Sequence, residues 1–362
     1  MEERYKIRNE RIQWIDTART IAIIAVVLCH VIETIFFYSE VDVNSFSLVR
    51  QSIVFGAFTF GRIGVPIFLF ISGWLLLSRT YDDKKCVCFW KQNFWKLLCV
   101  TEVWTIFYYI FACLMRETSF SVLELGKQIL FLKQSNMSHM WYMPMILGMY
   151  LFLPFVANTL NRVNEKLLYF PLVIMIIYSF LIPTFNILWR SQQKEMLYGQ
   201  LSLEFGGGKY GVYIILGWFF YKGIFPKIKK IFLWLGFLSS FLGTILFQMF
   251  MLKKGYEYRV WYDFIMLLVA AICIFGILEG RNLQNEKTVL YRLIKSLAKD
   301  SFGIYLLHKP VLNILVKYVP VKNMNYLYKI IFFWMIILLV SWGIVEIFSK
   351  MGKLGKNLFL VK

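Results

Sequence analysis

Apolar positions along this chain gather into long unbroken runs instead of alternating with polar ones. Ten stretches read as membrane spans by hydropathy: roughly 17–37, 59–78, 94–114, 140–160, 167–187, 208–223, 231–251, 260–279, 300–317 and 326–349. Runs of about 17–25 apolar residues suffice to cross hydrocarbon as a helix. Lipid offers backbone groups no outside partner, so each span must satisfy its own hydrogen bonds. The pattern predicts an all-α fold, a polytopic membrane bundle of about ten transmembrane helices. Neither a repeat nor a low-complexity linker divides the chain, and 1–362 reads as a single transmembrane domain. The opening "MEERYKIRNERIQW" and the run after it have the outline of a signal peptide. No small-residue cleavage site follows and the run holds ionisable groups, so a retained first helix is expected. The glycine run "FGGGKYG" at 205–211 precedes a span and lacks G-K-[ST], so it predicts a flexible lead-in to the sixth helix and no phosphate loop.

Composition agrees with this class. Of 362 residues 59% are hydrophobic and 19% aromatic, and the mean hydropathy is +0.60. Soluble domains are about 45–50% apolar. The net charge of +19 comes from 40 Lys and Arg against 21 Asp and Glu. The basic residues cluster between spans, without a nucleic-acid motif, so nucleic acid is excluded as a partner and the bilayer with its anionic lipid is expected. Placing the N-terminus inside puts five clusters on the cytoplasmic side. They are Arg4, Lys6, Arg8 and Arg11; Arg79, Lys84, Lys85 and Lys91; Lys222, Lys227, Lys229 and Lys230; Arg281, Lys287, Arg292, Lys295 and Lys299; and Lys350, Lys353, Lys356 and Lys362. The outer loops, 38–58, 115–139 and 188–207, are longer and poorer in basic residues. A multi-pass protein of the plasma membrane with both termini cytoplasmic is expected. Six cysteines include a C-x-C at Cys86 and Cys88, with no metal-ligand spacing, so no metal is expected. Abundant Phe, Ile, Lys and Tyr point to a bacterial source.

The first span changes the picture from architecture to chemistry. "WIDTARTIAIIAVVLCHVIETIFF" carries Asp16, Arg19, His30 and Glu33 among apolar residues. Arg19 and His30 are separated by close to three helical turns, roughly 16 Å at 1.5 Å per residue, so they share a face. Asp16 and Glu33 join that face at three-residue offsets. A polar stripe on an apolar membrane helix must face the bundle interior or a water-filled cavity. Histidine exchanges a proton near neutral pH and suits a general base. Arginine offers a permanent fork of donors for phosphate. A phosphate-bearing cytosolic donor held at Arg19 would reach His30 with its reactive end. A packing network with Asp16–Arg19 as a local ion pair, or the pathway of a proton-coupled transporter, fits the same stripe.

Five segments in order then resemble one family. "RIQWIDTARTIAIIAVVLCHVI" has Arg, ten residues, then His; "GRIGVPIFLFISGWLLL" ends a Phe-rich helix in Ser-Gly; "HMWYMPMILGMYLFLPFV" has the His-hydrophobic-Trp-Tyr start. "YGVYIILGWFFYK" and "SFGIYLLHKPVL" complete the series. Together they resemble the acyltransferase-3 family of integral membrane proteins. The resemblance implies transfer of an acyl group, usually acetyl, from cytoplasmic acyl-CoA to a cell-surface glycan or lipid-linked sugar. Acetyl-CoA would be a cosubstrate, with no tightly bound cofactor. It also implies that Arg19 and His30 are the essential pair. The relatives usually carry paired arginines before the third helix, where "CFWKQNFWKLL" has only Lys91 and Lys96. Lysine binds phosphate as a point charge without the bidentate geometry.

The resulting expectation is an acetyl-CoA-dependent O-acetyltransferase. His30, Arg19 and Asp16 are its catalytic candidates, and Arg19, Arg79, Lys91 and Lys96 its contacts to CoA. Glu33, Arg62, Ser72, His139, Trp141, Tyr142, Tyr305 and His308 are candidates for the acceptor side. Each has a plainer alternative. Trp141 and Tyr142 suit an interfacial belt, Ser72 with Gly73 a close helix contact, Arg62 a snorkelling cation, and His308 with Tyr305 interior packing. A transporter or flippase of a polar or lipid-linked substrate is the competing function, and an accessory domain supplying substrate to a partner enzyme is a third.

Overall fold

The computed structural model describes residues 12–39, 41–116, 119–225, 228–280, 288–319 and 324–361. Of the basic clusters, Arg4, Lys6, Arg8, Arg11, Lys227, Arg281, Lys287 and Lys362 lie outside the described residues. The described residues form helices and no strand. In chain order these are α1 (Gln13–Ile32), α2 (Leu48–Ser72), α3 (Asp83–Phe89), α4 (Trp95–Arg116), α5 (Val122–Ile129), α6 (Tyr142–Leu160), α7 (Tyr169–Ile176) and α8 (Ile182–Ser191). Then follow α9 (Gly208–Tyr221), α10 (Lys230–Lys253), α11 (Ile265–Leu278), α12 (Val289–Tyr318), α13 (Tyr326–Lys350) and α14 (Lys353–Leu358). Single π turns continue α1 (Glu33–Phe37) and α2 (Gly73–Leu77), and others join α3 to α4 and α7 to α8.

Seven helical segments among the described residues are long and apolar enough to cross a membrane: Gln13–Phe37, Leu48–Leu77, Asp83–Met115, Ser138–Leu160, Glu165–Ser191, Lys230–Lys253 and Tyr326–Lys350. The three other expected spans are also helical but differ in kind. Helices α9 and α11 have 14 residues each, about 21 Å, short of a hydrocarbon core of about 30 Å. Helix α12 has 30 residues but opens with Arg292, Lys295, Lys299 and Asp300. Several boundaries move from their expected places, among them α12, which begins at Val289, not 300. Helix α2 begins at Leu48, not 59, because the Ser47 side chain accepts from Arg50 N and caps opening turns whose Arg50, Gln51 and Ser52 interrupt the apolar run. Helix α11 begins at Ile265, not 260, and 256–264 is irregular.

The chain divides into two compact units, Met1–Ser78 with Asn164–Ser301, and Arg79–Val163 with Phe302–Lys362. In the first, α1 is the most enclosed element, with Ala18, Ala22, Ile23, Ala25 and Val27 fully buried. Two glycines of α2 set how near it lies. A Cβ at Gly61 would stand 2.7 Å from Cys29 Cα, and one at Gly64 would stand 2.5 Å from the Ala22 carbonyl oxygen. Gly73 and Gly217 do the same for α2 and α9, each facing the other helix's backbone. The "FGGGKYG" run makes a tight turn: Gly207 (φ 81°) caps α9, a conformation that favours glycine.

In the second unit the 119–137 segment, expected as part of an outer loop, contains α5 and folds back along α4. Ser121 N donates to the Tyr109 hydroxyl at 3.1 Å, closing the near end of that return. Helix α5 starts at a Ser121 cap and is strongly one-sided, burying Gln128 while Val122, Leu123 and Leu130 stay exposed. The C-terminal tail packs on α4, where Trp104 Nε1 donates to the Leu358 carbonyl at 3.1 Å.

Candidate functional site

In the first unit the end of α1 holds a closed ionic chain. His30 Nδ1 lies 2.7 Å from Glu33 Oε2, and Arg62 Nη2 donates to Glu33 Oε1 at 2.7 Å. All three residues are buried, at 8%, 5% and 3% exposure. Glu33 opens the π turn, where the helix widens as such turns often do at functional positions. An ionised carboxylate only accepts, so Nδ1 carries a proton, and in the neutral ring Nε2 holds the lone pair. Arg62 stands between Gly61 and Gly64, so the same small residues that let α2 approach α1 deliver its guanidinium to Glu33.

Arg62 is fixed from its other side by the irregular 256–264 segment. Its Nη1 donates to the Tyr262 hydroxyl at 3.4 Å, and its Cζ sits 4.3 Å from the Trp261 ring centroid. That segment is itself pinned from several directions. Val260 N donates to Gln248 Oε1, the Tyr213 hydroxyl to the Tyr262 carbonyl, Arg259 Nη2 to the Phe37 carbonyl, and Lys209 pairs with Asp263.

The other candidates on α1 and α2 sit apart from this chain. Arg19 pairs with Asp16 at 3.6 Å, its side chain 35% exposed and that of Asp16 buried. The Ser72 hydroxyl donates to the Phe68 carbonyl of its own helix at 3.0 Å. Gly73, next to it, supplies the close contact to α9.

The second unit gathers a different set. His139 is buried, with Tyr108 Oη 3.4 Å from its Nε2, while the Tyr305 hydroxyl donates to its carbonyl at 2.7 Å. Its ring meets those of Tyr305 and His308 edge to face, with centroids at 5.2 and 4.9 Å. His308 Nδ1 is 2.6 Å from the Tyr305 carbonyl oxygen, so it donates there. The Tyr142 ring lies 6.0 Å from that of Tyr305, and Trp141 packs edge-on against Tyr142. Arg79, Lys91 and Lys96 are exposed; the backbone carbonyl of Arg79 accepts from Asn161.

Sequence reasoning missed Trp261, Tyr262 and Tyr108. The first two fell inside the expected span 260–279 and carried no pattern that singled them out. Tyr108 had a usable signal: Thr101, Thr105 and Tyr108 repeat at helical spacing on one face of a mostly apolar helix. Against known proteins, the chain matches the family model described as an acyltransferase domain over residues 12–346. No curated protein and no solved structure matches it. With that match running through both units, the buried His30–Glu33–Arg62 chain included, the protein belongs to the acyltransferase-3 family of membrane acyltransferases.

Proposed function

We propose that the protein transfers an acetyl group from cytoplasmic acetyl-CoA to a hydroxyl of a cell-surface or lipid-linked glycan, with His30 as general base. The observation that carries this reading is the 2.7 Å contact between His30 Nδ1 and Glu33, whose second oxygen is held by Arg62. A base oriented by a carboxylate is the arrangement that activates a hydroxyl nucleophile. His30 Nε2 takes the acceptor's proton as its oxygen attacks the thioester carbonyl. Collapse of the tetrahedral intermediate forms the ester and expels CoA thiolate, which recovers the proton. Glu33 holds the productive tautomer and stabilises the imidazolium. Arg62 neutralises the carboxylate so that it does not stand alone in an apolar surrounding.

Arg19 is the proposed contact for the phosphates of CoA, its half-exposed guanidinium tethered by Asp16. Exposed Arg79, Lys91 and Lys96 are candidates for the same charge. Both termini are proposed to face the cytoplasm of a bacterial plasma membrane, the side on which acetyl-CoA is made. The test is His30→Ala in the membrane, with radiolabelled acetyl-CoA and mass spectrometry of surface glycans. Loss of about 10²–10⁴-fold in acetyl transfer is expected, the usual contribution of a general base. The variant should fold, because Glu33 keeps Arg62. Normal acetylation in the folded variant rejects the role of His30, and solute movement without CoA release favours a transporter.

A further inference from the structure

A half-open cavity of about 220 Å³ lies in the second unit, lined by α4, the end of α5, the partly exposed 131–138 segment and the start of α6. Helix α4 supplies Thr101 and Thr105, one turn apart on the face that continues to Tyr108. All three are nearly fully buried. Thr101 donates to the Leu97 carbonyl at 2.8 Å. The Thr105 hydroxyl makes no hydrogen bond among the described residues, although the residue is 2% exposed. That hydroxyl is not sealed off but opens into the cavity, where water or a ligand is left to bond it. Gln128 supplies an amide, steadied by Asn136 through both of its ends. Trp141 supplies a half-buried aromatic face.

The backbone around this space gives the same indication. Residues 131–137 are irregular and run back along a spanning helix. Non-helical backbone beside a membrane helix is tolerated where it is buried in protein or lines a wet cavity. Charge narrows the ligand. Lys133 is the one ionisable side chain of the lining, and it is tied to Glu124, which Lys127 also holds. The lining therefore presents hydroxyls, an amide and an indole among the apolar Phe131, Leu132, Met137, Met140 and Pro144, with no uncommitted charge. That chemistry suits neither a phosphate, a pyrophosphate nor CoA. Its size is below the 300–1,000 Å³ of sites for whole drug-sized molecules, and fits a single ring.

We infer that this cavity binds one neutral sugar ring. The ring's C–H face packs on Trp141 and its hydroxyls bond Thr105 and Gln128. Identifying that ring as part of the acyl acceptor rests on the acetyltransferase reading above; the binding itself does not.

The test uses the full chain in lipid nanodiscs with a panel of methyl glycosides, among them methyl glucoside and methyl N-acetylglucosaminide. Binding is read by saturation-transfer NMR. At least one glycoside should bind the unaltered protein. Thr105→Val, which keeps shape and removes the hydroxyl, should weaken it roughly tenfold, the loss of one hydrogen bond, and Thr105→Ser should restore it. Inorganic phosphate and CoA should not compete. The inference is overturned if no glycoside binds, if Thr105→Val binds as tightly as the unaltered protein, or if CoA or phosphate displaces the sugar. CoA release from acetyl-CoA by the unaltered protein is measured in parallel. Sugar binding without CoA release keeps the cavity and removes acyl transfer; CoA release without sugar binding does the reverse.

Discussion

Arg62 is where single side chains decide most. It neutralises Glu33, stacks on Trp261 and touches Tyr262 while nearly fully buried. Breaking a buried ion pair by removing one partner typically costs about 3–5 kcal/mol, because the remaining charge is left uncompensated. Arg62→Ala is therefore expected to lose about that much stability, read as a fall in the thermal midpoint in nanodiscs. A midpoint within the scatter of the unaltered protein would mean that Glu33 is neutral or otherwise held. Glu33 itself was legible in the sequence as part of the polar stripe, because a three-residue offset is a property of one helix. Its two partnerships were not equally legible. The contact to His30 follows from helix geometry. The contact to Arg62 depends on how α2 is turned and how near it comes.

Helices meet here through glycine and through returning segments. Gly61 faces the backbone of Cys29 so closely that a side chain cannot be added without moving α2. Gly61→Leu should destabilise the protein by about 1–3 kcal/mol, the usual result of overpacking, and should also lower acetyl transfer by withdrawing Arg62 from Glu33. Retained activity at a lowered midpoint would separate packing from chemistry. The returning 119–137 segment carries its own ionic lock. Hydrogen bonds from Lys127 and then Lys133 hold the Glu124 carboxyl down at about 2, against an ordinary 4.5. A depressed carboxyl stabilises the fold above its unfolded value and loses that contribution as pH falls through its folded one. The protection of this segment against hydrogen exchange is thus expected to decline between about pH 4.5 and about pH 2. In Glu124→Gln that decline should vanish; an unchanged pH dependence in the variant assigns it to other groups. The sequence showed 115–139 only as a polar, weakly basic loop. Its eight-residue helix is short and apolar on one side, below what hydropathy windows detect.

For the whole molecule, the basic clusters make a topological statement. Arg79, Lys84, Lys85 and Lys91 run from just before α3 through it to the turn that leads into α4, and Lys350 ends α13 with Lys353 and Lys356 in α14. The proposed topology, both termini inside, expects reporter fusions at either end to be active in the cytoplasm and a fusion in 188–207 to report the outside. Opposite reporters at the two ends would demand an odd number of crossings. The count is open to such mapping because α9, α11 and α12 are helical yet either too short or too charged to meet the length and hydropathy of a simple span.

By itself the sequence determined the class and the family. Long apolar runs admit only helices in lipid, and five motifs in order mark an acyltransferase. It also determined that Asp16, Arg19, His30 and Glu33 lie along one side of one helix, since spacing of 3.6 residues per turn is a local property. Tertiary structure alone decided which residue answers which. It put Arg62 rather than Arg19 on the Glu33 carboxylate, and Tyr108 against His139. Periodicity states which way a side chain points from its own axis. The depth and rotation of a neighbouring helix come from packing, here from glycines that admit another backbone at van der Waals range, and no linear pattern encodes that distance.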